Sequence, residues 1–228
     1  MKKLLFLGLA LLVASVCFAQ DVTKFLGIPV DGTKPAMIQK LKEKGFTFNA
    51  KLDCLEGEFN GREVTLTIVT NNNKVYRIMV MDSYGVSETD IKIRFNTLCG
   101  QFEKNERYMS FEDNQMIPES DDISFEMNVH NRRYEALYIQ MDNFDIKNEI
   151  LEFAKEMVSE QEFSELSESE KNNLTTIIIN DYLDEFKSFS KERVFSKKVW
   201  FTILEVYGEY YICLYYDNEY NKANGEDL

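Results

Sequence analysis

Histidine occurs once in this chain, at His130, and proline only at Pro29, Pro35 and Pro118. A single imidazole without a nucleophile at supporting spacing excludes a Ser-His-Asp triad and argues against the common histidine-based zinc hydrolase sites. His130 is therefore read as a solvated turn residue. Glycine-rich phosphate loops are absent, which argues against nucleotide enzymes. Cys17, Cys54, Cys99 and Cys213 form no CxxC, so neither zinc nor redox chemistry is indicated. Positive charge is scarce as well: 26 Lys and Arg against 39 Asp and Glu give a formal net charge of -13. Such a surface repels nucleic-acid phosphates, offers no basic patch to anionic lipid, and favours solubility or a cationic partner.

What is present starts at the N-terminus. Lys2 and Lys3 precede the apolar run Leu4 to Val16, and Cys17-Phe18-Ala19 ends in a small residue before Gln20. This layout predicts a secretory signal peptide over residues 1–19, cleaved after Ala19, and a periplasmic or extracellular address. The run is too short to span a bilayer, since crossing takes about 20 residues. No transmembrane segment is expected in the mature chain, and lipidation at Cys17 is the less favoured alternative because Val16 beside it is bulky. Three cysteines, Cys54, Cys99 and Cys213, then remain in an oxidising compartment. Their apolar neighbours make buried thiols as reasonable as one disulfide.

Periodicity predicts an α+β fold in which antiparallel β-hairpins form one or two sheets with helices packed on one side. Val64 to Val69 alternates, turns through Asn71-Asn72-Asn73 and returns from Val75 to Asp82. Ile123 to Val129 alternates likewise and predicts a strand, turning at His130-Asn131-Arg132 and returning from Tyr134 to Asp142. The third pair runs from Val199 to Val206 and from Tyr210 to Asp217. Its apolar groups on both faces predict a central or helix-covered element, or an exposed aromatic surface. Each return strand closes on an aspartate, read as a cap for the next turn.

Helices are expected from Lys34 to Gly45, from Thr89 to Lys104 with Ser87 and Asp90 in capping spacing, from Phe144 to Val158 and from Thr175 to Ser188. Phe46 to Leu55 reads as one strand. Residues 159–173, acidic and serine-rich, read as a mobile loop or solvated helical turn. The expected organisation is one α+β domain over residues 20–228, with 112–122 as the best candidate for a boundary between two related subdomains.

Candidate sites are few. Asp121-Asp122, Glu103 with Glu106, and Asp181 with Glu185 offer carboxylate pairs of the kind glycosidic acid/base chemistry uses, but no pair stands above the others. Asp217-Asn218-Glu219-Tyr220-Asn221 lacks the glycine and spacing of a calcium loop and reads as a polar tail. No cofactor and no metal site is expected. Tyr207, Tyr210, Tyr211, Tyr215, Tyr216 and Tyr220 cluster near the C-terminus. A tyrosine joins a flat apolar body to a water-tolerant hydroxyl, so these six are the candidate binding residues for a sugar or a protein.

The stretch Phe25-Leu26-Gly27-Ile28-Pro29-Val30-Asp31-Gly32-Thr33-Lys34, the short helix ending Lys44-Gly45-Phe46, and the leader ending Cys-Phe-Ala-Gln resemble uncharacterised secreted or periplasmic proteins of Bacteroides-type bacteria. More distantly, a short helix followed by antiparallel strands resembles the repeat of β-lactamase-inhibitor-like and outer-membrane-assembly lipoprotein domains. These resemblances carry no catalytic residues; the second implies protein binding. The expected function is a secreted, non-enzymatic binding or protein-interaction module of the bacterial envelope, with a protein or glycan partner. The runner-up is an envelope hydrolase acting on glycan or peptide through carboxylates.

Overall fold

The computed structural model describes residues 21–110, 112, 114–141, 146–182, 185–186 and 196–223, so the expected leader at 1–19 lies outside the described residues. The chain forms the small hairpin β1 (Lys24–Phe25) and β2 (Ile28–Pro29), then α1 (Lys34–Glu43). Next come β3 (Thr47–Asn49), β4 (Cys54–Phe59), β5 (Arg62–Asn71), β6 (Lys74–Asp82), α2 (Glu88–Glu103) and β7 (Tyr108–Ser110). They are followed by α3 (Ile123–His130), β8 (Glu135–Gln140), α4 (Ile146–Val158), α5 (Glu160–Glu165) and α6 (Glu168–Asp181). The strands β9 (Lys198–Val206) and β10 (Glu209–Asp217) and a 3-10 turn at Glu219–Asn221 complete the described chain.

Strands β3 to β10 form one antiparallel sheet in the order β3-β4-β5-β6-β10-β9-β8-β7. The architecture is thus α+β with helices alongside antiparallel sheets. Four of the strand connections are two-residue turns with both residues at positive φ: Leu26-Gly27, Asn60-Gly61, Asn72-Asn73 and Tyr207-Gly208. This geometry matches the twist of paired strands, and Asn or Gly adopts it with least strain. Asn60-Gly61 is a hairpin signal in the sequence that the expected single strand over Phe46 to Leu55 overlooks. That stretch is two short strands separated by a turn, with Asp53 at φ 53.

One face of the sheet makes the main core. Val64, Leu66 and Ile68 of β5, Ile78 and Val80 of β6, Ile212 and Leu214 of β10, and Phe201 of β9 are all buried there. Over them α2 lays Ile91, Phe95, Leu98, Cys99 and Phe102, the face its periodicity predicts. Ser87 caps this helix by accepting from Asp90 N at 3.2 Å. Phe102 stacks on Tyr138 with ring centroids 4.5 Å apart, while Phe95 meets Phe201 edge-on at 4.9 Å. α4, α5 and α6 build a smaller core from Ile150, Phe153, Ala154, Phe163 and Ile178 together with Phe186.

Two glutamine amides extend the sheet. Gln115 accepts from Leu137 N through Oε1 and donates to Leu137 O through Nε2, as a paired strand residue would. Gln140 makes the same two-way contact with Lys24, at 2.7 Å and 3.0 Å, and so ties β1 to the end of β8. Strands on both sides of residues 112–122 belong to the eight-stranded sheet.

The expected second hairpin is corrected. Ile123–His130 is helical, with Asp122 accepting from Phe125 N at 2.8 Å and Asn131 closing the helix at φ 53. Its alternating apolar residues mimic a strand, but only Ile123 is buried, and Phe125 and Val129 are exposed. The cap residues decide the matter: Asp122 satisfies an N-terminal amide, and Asn131 tolerates the left-handed turn. β8 accordingly pairs with β7 and β9.

The acidic, serine-rich segment is more helical than a loop reading allows. Ser159 and Ser167 are helix N-caps, and Ser167 forms a full capping box with Glu170, so α6 begins well before Thr175. Among the described side chains of α6 Ile178 is fully buried, and the C-cap Tyr182 is exposed, while Leu183 lies outside the described residues.

Candidate functional site

The second face of the sheet carries the most organised side-chain cluster. Directly opposed in register, Trp200 of β9 and Tyr215 of β10 stack with centroids 4.0 Å apart and planes 16° from parallel. Asp217, two residues on, returns to the same face opposite Arg77 of β6. Arg77 donates to both oxygens of Asp217, from Nε at 2.5 Å and from Nη2 at 2.7 Å, and Trp200 Nε1 adds a third hydrogen bond at 3.0 Å. The guanidinium carbon also sits 4.8 Å from the Tyr215 ring centroid. The Asp217 hydrogen bond pushes the Arg77 pKa above its ordinary value, and burial pushes the Tyr215 phenol up. A buried carboxylate with a forked arginine and an indole donor holds its partners in one geometry.

Trp200 lines a groove of about 470 Å³ whose base includes Ala136 and Leu137. Its walls carry Arg77, Arg133, Lys198 and Lys222 against Glu112, Glu135, Asp217 and Glu219, with the Gln115 amide among them. These charges are largely paired. Arg133 Nη2 lies 2.5 Å from Glu135 Oε1, and Glu219 holds Lys222 at 3.4 Å and Lys198 at 3.7 Å. On a chain of net charge -13 this groove is locally balanced.

The six candidate tyrosines divide between the faces. Tyr211 and Tyr215 share the face of Trp200, with the Tyr211 hydroxyl donating to Glu209 Oε2 at 2.9 Å. Tyr210 and Tyr216 are buried on the core face. Tyr207 is 101% exposed at the hairpin tip with φ 54, and Tyr220 is exposed in the 3-10 turn. The groove's central ring is Trp200, which counting tyrosines overlooks; its signal is the register across the third hairpin, where Trp200 faces Tyr215.

Two of the closing aspartates, read from sequence as caps, instead hold arginines: Asp82 pairs with Arg94 at 3.3 Å and Asp217 with Arg77, while Asp142 lies outside the described residues. The tail after Asp217 is a clasp. Asn218 is buried and donates to Val30 O at 2.8 Å, and Asn221 Nδ2 donates to Val75 O at 2.9 Å. Among the described residues no group of three or more His, Cys, Asp or Glu is placed to hold a metal ion. His130 sits on the last turn of α3, with Nδ1 3.1 Å from Glu126 Oε2. Of the carboxylate pairs, Asp121 binds Arg132 at 2.9 Å and Tyr134 at 3.2 Å, and Asp122 is engaged as the α3 cap.

Cys54, Cys99 and Cys213 are free, buried thiols. Burial pushes the Cys99 and Cys213 thiols up to about 11 and the Tyr134 phenol up to about 12. Burial also raises the Tyr216 phenol well above its ordinary value. The unfolded chain ionises such groups near pH 9 to 10, whereas the folded chain keeps them neutral, so their contribution is fully present below about pH 9 and lost as pH rises toward about 12. Melts followed by circular dichroism are expected to show a Tm that holds from neutrality to about pH 9 and then falls steadily. A Tm that stays flat to about pH 11 contradicts this linkage.

Compared with protein-family models, curated proteins and solved structures, the chain finds no match. Fold and site together define an α+β protein with a pre-ordered, charge-balanced aromatic groove on an antiparallel sheet.

Proposed function

We propose that this chain is a non-enzymatic binding module of the bacterial envelope that holds a neutral glycan in the Trp200 groove. The carrying observation is the fixed indole set among equal numbers of cationic and anionic side chains. Every sugar hydroxyl both donates and accepts, so a lining that holds both ammonium or guanidinium donors and carboxylate acceptors suits it. The apolar C–H face of a pyranose rests on an aromatic ring, which Trp200 offers without ordering cost because Tyr215 and Asp217 already hold it. Balanced charge gives neither a free anion nor a free cation an advantage. At about 470 Å³ the groove lies within the range of small-ligand sites, about 300–1,000 Å³. The envelope address rests on the leader-like residues 1–19.

Trp200 is the only tryptophan, so its emission reports on this groove alone. Titration with neutral oligosaccharides of glucose, mannose and N-acetylglucosamine is expected to give a saturable emission change with at least one of them. Trp200→Leu is expected to abolish retention of the protein in affinity gels containing that glycan. Flat emission and no retention across the whole panel reject the reading.

A further inference from the structure

A second cavity, of about 560 Å³, opens on the opposite, helix-covered face of the sheet. The end of α2, the β1–β2 turn and the β4–β5 turn converge on it. Its floor is apolar and largely aromatic: Phe46, Phe59, Phe102 and Tyr216, with Leu98 and Leu214 between them. Inside this floor the polar functions are phenolic. Tyr216 hydrogen-bonds to Tyr108, and Gln140 Nε2 donates to the Tyr108 hydroxyl at 3.2 Å. The mouth is polar, spanned by Asn60 Nδ2 donating to Gln101 Oε1 at 2.8 Å, and flanked by one cation, Lys44, and one anion, Glu58.

Leu26 supplies an independent observation. It lines the cavity, is 39% exposed, and has φ 51, a left-handed conformation that bulky L residues avoid. Of the equivalent turns, Asn60-Gly61 and Asn72-Asn73 place Asn there, which tolerates the conformation, and Tyr207-Gly208 places a tyrosine that stands fully in water. At Leu26 the chain instead keeps an apolar side chain, strained and half in water, at the edge of an aromatic hollow. Strain and exposed apolar area both disfavour that choice in the empty protein, and an apolar ligand beneath Leu26 would offset them.

We propose that this cavity binds a neutral, apolar ring-containing ligand carrying one hydrogen-bonding heteroatom, with Leu26 packing against it at the mouth. Aromatic walls select the rings, Tyr108 and Tyr216 meet the heteroatom, and the opposed charges of Lys44 and Glu58 give no preference to an ion. The proposal does not depend on the glycan reading, since the two sites lie on opposite faces of the sheet.

The test is a fluorescence titration of the full chain with the neutral probe N-phenylnaphthylamine. Saturable enhancement at one site per chain is expected. Leu26→Gly, which suits the positive φ, is expected to keep or raise the Tm while weakening the probe at least fivefold. Gln101→Trp, at an exposed helical position, is expected to fill the mouth and reduce binding at least tenfold with the fold intact by circular dichroism. Absence of saturable binding, or probe affinity that survives either substitution in a folded variant, overturns the proposal.

Discussion

A chain ended at Lys198 will show no cooperative thermal transition. The reason is strand order: β10 lies between β6 and β9, and β9 between β10 and β8. Ending the chain there removes the fifth and sixth of the eight strands and leaves β3 to β6 without a hydrogen-bonded link to β7 and β8. It also strips the core of Val199, Phe201, Ile203, Ile212, Leu214 and Tyr216. Each large apolar side chain is worth about 1.5–3 kcal/mol when buried, and a whole domain is stable by only about 5–15 kcal/mol. A differential scanning calorimetry endotherm retained by the truncated chain would refute this.

Arg94→Leu is expected to cost about 3–5 kcal/mol, more than a typical surface substitution by several fold. Arg94 projects from α2 into the core and meets Asp82 at the end of β6, both side chains being less than a tenth exposed. Removing the guanidinium leaves the Asp82 carboxylate buried without its cation. The double variant Arg94→Leu with Asp82→Leu is expected to recover most of the loss, because apolar side chains in place of a buried pair are often neutral or better. Urea denaturation of the two variants measures both effects. A single-variant loss under about 1 kcal/mol would mean that water reaches the pair.

Much of the fold was legible because local signals agreed with one another. In β5 the alternation of Val64, Leu66 and Ile68 and the Asn-rich turn at 71–73 point to the same hairpin that is observed. In α2 the Ser87 cap, the acidic first turn and the apolar stripe from Ile91 to Phe102 all indicate one helix. Ile123 to His130 misleads because an alternating octet fits either period, and its helical state is decided by the caps at Asp122 and Asn131. Serines that look like loop residues at 159 and 167 serve as caps instead, and only the glutamates three residues further on, Glu162 and Glu170, mark the difference.

The candidate site was legible only in part. The cluster of tyrosines near the C-terminus marks the hairpin that also carries Trp200, yet the period of two places Tyr210 and Tyr216 in the core and Tyr211 and Tyr215 on the other face. Arg77 could not be joined to Asp217 across 140 residues by spacing, because their meeting depends on β10 pairing with β6. The aromatic cavity is equally non-local, since Leu26, Phe59, Phe102 and Tyr216 come from four separate elements.

By itself the sequence determined the α+β class, the first and third hairpins and the inward face of α2, all of which rest on short-range periodicity and capping. Tertiary structure alone decided that β10 joins the two halves of the sheet, that Asp82 and Asp217 hold arginines, and that two hollows form on its opposite faces. Pairing between strands distant in the chain sets which side chains meet, and no local preference encodes that choice.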